Sequence, residues 1–362
     1  MSLDGVYHRV GLSPDTGGIL FYEEKMIFVR PPRNADAPLI SGLGHRGQWL
    51  QLHLRPSPSW SALLLLPMTL SVGCATSAGP FQVGPSRLPI ENANPANGLD
   101  VVPPIAPINP DRPDVTNGTN IVDVGLLQVE AGAQHASFGT QRSLGTPLTL
   151  RIGLFEWLEA RLSTDGFLHQ TDTSSSVSGA GNVQVGSKVR LFADPGGLPV
   201  LSILPTLNLP VASVSKGLGS GAPDFTVTVL TGTDLGRTSH IDVNYGIGAI
   251  GAGPTRPHFT QHLVSVSVSH SVTEQLNPYV EGYWFSRQDP DGGHVFSVDA
   301  GLIQAFTARF AADGGVSVGL SNAAPNVSVF AGLSVIVGDV LGDHGVIARQ
   351  RKAARLHAQP PR

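Results

Sequence analysis

Leu148-Thr149-Leu150-Arg151-Ile152-Gly153-Leu154-Phe155-Glu156-Trp157-Leu158-Glu159-Ala160-Arg161-Leu162-Ser163 is two alternating runs joined by a short turn. In the first run, Leu148, Leu150, Ile152 and Leu154 alternate with Thr149, Arg151 and Gly153. In the second, Leu158, Ala160 and Leu162 alternate with Glu159, Arg161 and Ser163. Successive side chains of a strand point to opposite faces, so each run carries one apolar and one charged face. The charges fall mid-strand, as they do in a wall with lipid on one side and water on the other.

The same writing extends in both directions. Upstream, Leu127, Val129, Ala131 and Ala133 alternate with Gln128, Glu130, Gly132 and Gln134; downstream, Val183, Val185, Val189 and Leu191 alternate with Gln184, Gly186, Lys188 and Arg190. Further strands are expected at 200–209, 225–231, 241–249, 263–270, 279–285, 295–302, 310–320 and 327–336. That makes about twelve, an even number, as single-chain bacterial barrels require. Short connections (155–157, 193–197, 232–238, 271–276, 305–309) alternate with mostly longer ones (135–146, 165–181, 210–223, 250–257, 286–293). Short periplasmic turns and longer outer loops are the habit of a membrane barrel. The expected fold is therefore all-β, an antiparallel transmembrane β-barrel over residues 120–337.

Composition agrees. The 362 residues include 43 Gly and 29 Pro, only 14% are charged, and no long helix-periodic stretch interrupts them, which points to one large all-β unit. A net charge of -4 names no nucleic-acid partner. The single Cys74 excludes an intrachain disulfide framework, and no Cys/His spacing implies a metal; no cofactor is called for. Residues 1–78 form a long N-terminal segment whose apolar core at 60–72 is too short to span a bilayer but suits a signal peptide, with Gly73, Ala75, Ser77 and Ala78 after it. The stretch before that core is unusually long for a signal peptide, which leaves room for a translation start downstream of Met1, although Met26 does not fully account for the excess. Leu70-Ser71-Val72-Gly73-Cys74 is an imperfect lipoprotein site with its Leu one place early, so cleavage near Ala78 is favoured over lipidation of Cys74. Residues 79–119, rich in Pro, Asn and Gly, read as an extended periplasmic leader. Residues 338–362, with Arg349, Arg351, Lys352 and Arg355, read as a solvated disordered basic tail.

The polar faces assign Glu130, Arg151, Glu159, Arg161, Lys188, Arg190, Asp242, Glu281 and Asp313 to the lumen. The basic ones come from strands two to four, while Asp242, Glu281 and Asp313 come from strands seven, nine and eleven. Cross-strand ion pairs and a transverse field are expected. Three other motifs fail on context. Gly246-Ile247-Gly248-Ala249-Ile250-Gly251 is followed by Gly253, Pro254 and Pro257 rather than a helix. Ser317 in Gly315-Val316-Ser317-Val318-Gly319 sits in continuing strand alternation with no elbow after it. His258 and His270 would lie about 40 Å apart along one strand, too far to share a metal with His262.

Asp111-Arg112-Pro113-Asp114-Val115-Thr116 resembles the T-D-R-P-D-x-T leader of the MetA-pathway phenol-degradation family of outer-membrane barrels. Gly125-Leu126-Leu127-Gln128-Val129-Glu130 is similar to that family's first strand, 150–161 to its L-R-Y-G-L-T-D-x-L-E-L-R hairpin, and 181–190 to its G-D-x-x-x-G-x-K-x-R strand. The resemblance covers about 110–336. Two departures stand out: Asn182 replaces the family's acid, and the chain runs past Val337 instead of stopping at an aromatic. The resemblance implies an outer-membrane transporter for small hydrophobic or aromatic compounds, with outer-membrane lipid, a small solute and the membrane's assembly machinery as partners and no catalytic residues. A closed structural or binding barrel is the alternative, and a barrel hydrolase comes last.

Overall fold

The computed structural model describes residues 106–358 apart from 114, 193–198 and 254, together with a short antiparallel hairpin of Ile19–Tyr22 and Lys25–Phe28. The signal-peptide core, Cys74, Asp114 and the leader up to residue 105 lie outside the described residues.

The main unit is a closed antiparallel barrel of 12 staves. They are β1 (Leu126–Phe138), β2 (Gln141–Gly145 and Leu148–Phe155), β3 (Leu158–Thr164 and Phe167–Thr171), β4 (Ser176–Ala180 and Val183–Phe192), β5 (Val200–Leu209) and β6 (Asp224–Leu235). There follow β7 (Ser239–Ile250), β8 (Phe259–His270), β9 (Leu276–Phe285), β10 (Val295–Thr307), β11 (Phe310–Gly319) and β12 (Val327–Asp339). Each stave pairs with the next, and β12 closes the ring on β1 from Val327 opposite Ser137 to Ile336 opposite Gln128. Closure leaves no unpaired sheet edge, which is what allows strands to stand in lipid.

Two expected loops are wall instead. Residues 135–146 continue β1 and β2 to a tight turn at Gly139 and Thr140, and 165–181 continue β3 and β4 to a turn at 172–175. The ladders run through without loss of register: Ala131 faces Leu148 and Gln134 faces Gly145 on one line. Here polar residues stand on both faces, among them His135 and Ser143, so the alternation that marks a strand is lost although Leu168 is buried against Ala212 and Leu218. One real irregularity occurs at Gly166, whose φ of 68° bends β3; a Cβ there would lie 1.8 Å from the Thr146 carbonyl oxygen. Only glycine fits that bulge.

The barrel is inside out relative to a soluble domain. Leu162, Val185, Leu207, Val229, Ile247, Val280, Val316 and Leu333 are exposed on the outer face, while Arg151 and Lys188 head the fully buried side chains. The lumen is not simply filled with solvent. Ile108 packs with Val122, Leu126, Ala311 and Ile336 at the end where the short turns lie. Val115 packs with Leu263, Tyr283, Phe285, Val295 and Ala324 toward the opposite end. Residues 108–122 therefore enter the barrel, turn near Val115 and return to start β1. The part of the expected periplasmic leader from 106 to 119 is thus a loop inside the lumen, because its polar backbone finds partners there that proline-rich chain cannot find within itself.

The basic tail is also ordered. Asp343–Ala358 forms helix α1, with Asp343 in its first turn where the helix dipole favours an acid. Arg349 reaches Asp339 at 2.6 Å and donates to the Val124 carbonyl at 2.5 Å, and Lys352 reaches Asp123 at 2.6 Å. These contacts, distant in sequence, order a segment whose own composition reads as disordered tail.

Candidate functional site

The inward charges converge on the leader loop. Asp111 is the hub: its Oδ2 lies 2.6 Å from Arg161, 2.6 Å from Lys188 and 3.4 Å from Arg151. Arg151 also bridges strands, meeting Glu130 and Glu159 at 2.8 Å each. Both carboxylates then accept from the leader's backbone. Glu130 takes the N–H groups of Asp111 (3.3 Å) and Arg112 (3.2 Å), and Glu159 takes that of Val122 (2.9 Å). Lys188 donates to the Gly118 (2.8 Å) and Asn120 (3.2 Å) carbonyls. Each charge of this network thus has a partner, which removes most of the cost of placing it in a confined site.

The opposite wall holds the tip of the loop. Glu281 on β9 accepts from the Val115 N–H (2.9 Å), the Thr116 N–H (2.5 Å) and the Thr116 hydroxyl (2.6 Å). Arg112 leans toward Asp313 on β11 at 3.7 Å and donates to the Ala331 carbonyl. Its guanidinium rests on Gly132 and Gly332, register partners on β1 and β12, where added Cβ atoms would come 2.1 and 2.6 Å from it. Pro113 is buried in the same turn.

Two assigned charges stay apart from this network. Asp242 contacts His240 at 3.3 Å, and His240 reaches Asp234 at 2.7 Å. Arg190 lines a small polar pocket at the mouth with Asp123, Glu156, Arg349 and Lys352. The hub role of Asp111 was not legible as charge chemistry: it stood in a motif, with no sign that it meets residues 40 to 80 positions away. Asp299, buried opposite Glu281, also escaped notice, although its parity on β10 could have found it.

The dismissed motifs sit in ordinary surroundings. Ser317 is mid-strand on β11 with its hydroxyl 3.3 Å from that of Tyr283. Gly246 and Gly248 continue β7. His258, His262 and His270 bond separately, to the Pro223 carbonyl, Tyr245 and Ser239.

A closed 12-stave barrel with apolar residues outside and paired charges within defines the class: an outer-membrane-type β-barrel. The chain belongs to the family described as "Putative MetA-pathway of phenol degradation", whose profile matches residues 110–336. That span begins at the leader loop and ends before α1. No curated protein matches the sequence. Among solved structures, an outer-membrane channel from Pseudomonas putida F1 is 12% identical, with a TM-score of 0.48 over 63% of this chain and 99% of that one. The NanC porin is 13% identical (TM-score 0.40, 58% and 98%), and the CymD monoaromatic hydrocarbon channel 8% identical (TM-score 0.36, 58% and 88%). These are likenesses of fold.

Proposed function

We propose that the protein is an outer-membrane channel for small solutes, exported by its N-terminal signal peptide and inserted by the membrane's assembly machinery, with its own leader as a resident plug. It acts on solutes by passage, not by chemistry. The observation that carries this reading is the inverted wall: apolar side chains exposed on every stave around a lumen of bonded charges. So large an apolar surface is favourable only against lipid. The plug is held chiefly by hydrogen bonds and ion pairs, which water can replace as the loop shifts, rather than by one continuous apolar core. The family's description speaks of phenol degradation, which makes small aromatic compounds the first solutes to test.

The test is conductance in a planar bilayer together with uptake of small solutes by proteoliposomes. Current from the intact protein, raised in Asp111→Ala, is the expected result. Silence from both proteins, each carrying a heat-modifiable band on a gel, would overturn the reading and leave a closed structural barrel.

A further inference from the structure

The loop meets the two sides of the lumen differently. Toward β1–β4 it is tied by the Asp111 network described above. Toward β7–β10, pairing places four inward side chains on one line: Asn244 faces Ser265, Ser265 faces Tyr283, and Tyr283 faces Ser297. Asn244, Ser265 and Ser297 are at most 1% exposed. Yet both polar atoms of the Asn244 amide and the hydroxyls of Ser265 and Ser297 have no hydrogen-bond partner among the described residues. Val115, at the tip of the loop, packs on Tyr283 in the middle of this line, and Glu281 is the nearby acid that bonds the tip. Buried donors and acceptors left unpaired are costly, so this line is a poorly satisfied stretch of the wall beside the tip of the plug.

We propose that solutes cross along this seam: the tip, released from Glu281, moves off the β7–β10 wall, and Asn244, Ser265 and Ser297 become the polar contacts of the passing molecule. The inference rests on reading the protein as a channel. An amide and two hydroxyls without charge, next to Leu263, Tyr283 and Phe285, fit an uncharged solute with an apolar body and one or two hydrogen-bonding groups. The charged wall stays bonded to the rest of the loop meanwhile. Opening also hydrates the unpaired groups, which lowers the free energy of the open state relative to the closed one.

The test uses Ser265→Cys and Ser297→Cys in a Cys74→Ser background, with Thr149→Cys on the charged wall as control and a charged, membrane-impermeant methanethiosulfonate as probe. Thr149 is fully buried and bonded to Ser163 at 2.7 Å. The reagent should cut single-channel current by at least half at 265 and 297 and leave it unchanged at 149. Adding Glu281→Gln should speed the modification several-fold. Full current after exposure of both seam variants, or block at 149 alone, would overturn the seam. If a cysteine variant fails to insert, Asn244→Leu gives the second reading: reduced conductance supports the seam and unchanged conductance overturns it. Absence of current in the unsubstituted protein would instead count against the channel itself.

Discussion

Asp111 shows what a single residue decides in this lumen. Its carboxylate faces Arg161, Lys188 and Arg151, and its removal leaves those cations short of a partner at a buried site. Breaking such a buried arrangement typically costs about 3–5 kcal/mol. Asp111→Asn should therefore lower the opening free energy of the loop by that order, read as faster hydrogen exchange at the Val115, Thr116 and Val122 amides; unchanged protection would show that the network does not hold the loop. The same geometry changes what a polar-face substitution means. The sequence pattern alone expects Arg to be tolerated at Thr149, as a residue facing water, but Thr149 is fully buried and bonded to Ser163, so an arginine there has no room without disturbing the packed interior. It also separates the inward cations from one another. Neutralising Arg151 strips a partner from Glu130, Glu159 and Asp111, whereas Arg190 lines the mouth outside that network. Arg190→Gln should shift the reversal potential in a salt gradient toward cation preference while the barrel inserts normally, and an unmoved potential would take Arg190 off the conducting path.

Among elements, β4 and α1 make opposite demands. On β4 the outward residue Val185 is 47% exposed, so Val185→Arg sets a charge against lipid at mid-strand, with an expected cost of about 2–4 kcal/mol in folding into liposomes. Equal folding of the variant and the parent would show that this face does not meet lipid. Helix α1 works through contacts at its first and middle turns. Arg349 and Lys352 bind the Asp123–Val124 segment and Asp339, joining the root of the plug to the end of β12. Removing residues 341–362 should leave the heat-modifiable barrel intact but raise hydrogen exchange at Val122–Leu126; equal exchange in the truncated protein would make the helix an ornament of the rim. The matched family span ends at 336, so this clamp lies outside what the family profile covers.

At the scale of the molecule, β1 begins and β12 ends at the same rim, with α1 beside them, and the connections 210–223, 251–258 and 286–294 stand at the other. With the short turns and both ends of the barrel at one rim, the rim of longer connections is the one expected outside the cell. Lys216, in the 210–223 connection, is exposed and is followed by Gly217, so trypsin can cleave after it. Trypsin added to intact cells should cut there before it reaches Arg351 on α1, and cutting at Arg351 alone would reverse the orientation. The target is not the 165–181 segment, since most of that stretch is wall with a tight turn at 172–175.

What the sequence by itself determined is the wall. Alternation has a period of two and is local, so the apolar and polar faces, the inward charges and the number of strands can be read residue by residue, as in Leu148–Phe155 and Leu158–Thr164. Tertiary structure alone decided what fills the wall. Asp111 meets Lys188 across 77 positions, Val115 meets Glu281 across 166, and Arg349 meets Val124 across 225. Neither a proline-rich leader nor a basic tail carries a periodic signal for such meetings. Their order comes from polar groups that only the closed barrel brings within bonding distance, and a linear pattern cannot express partners that closure creates.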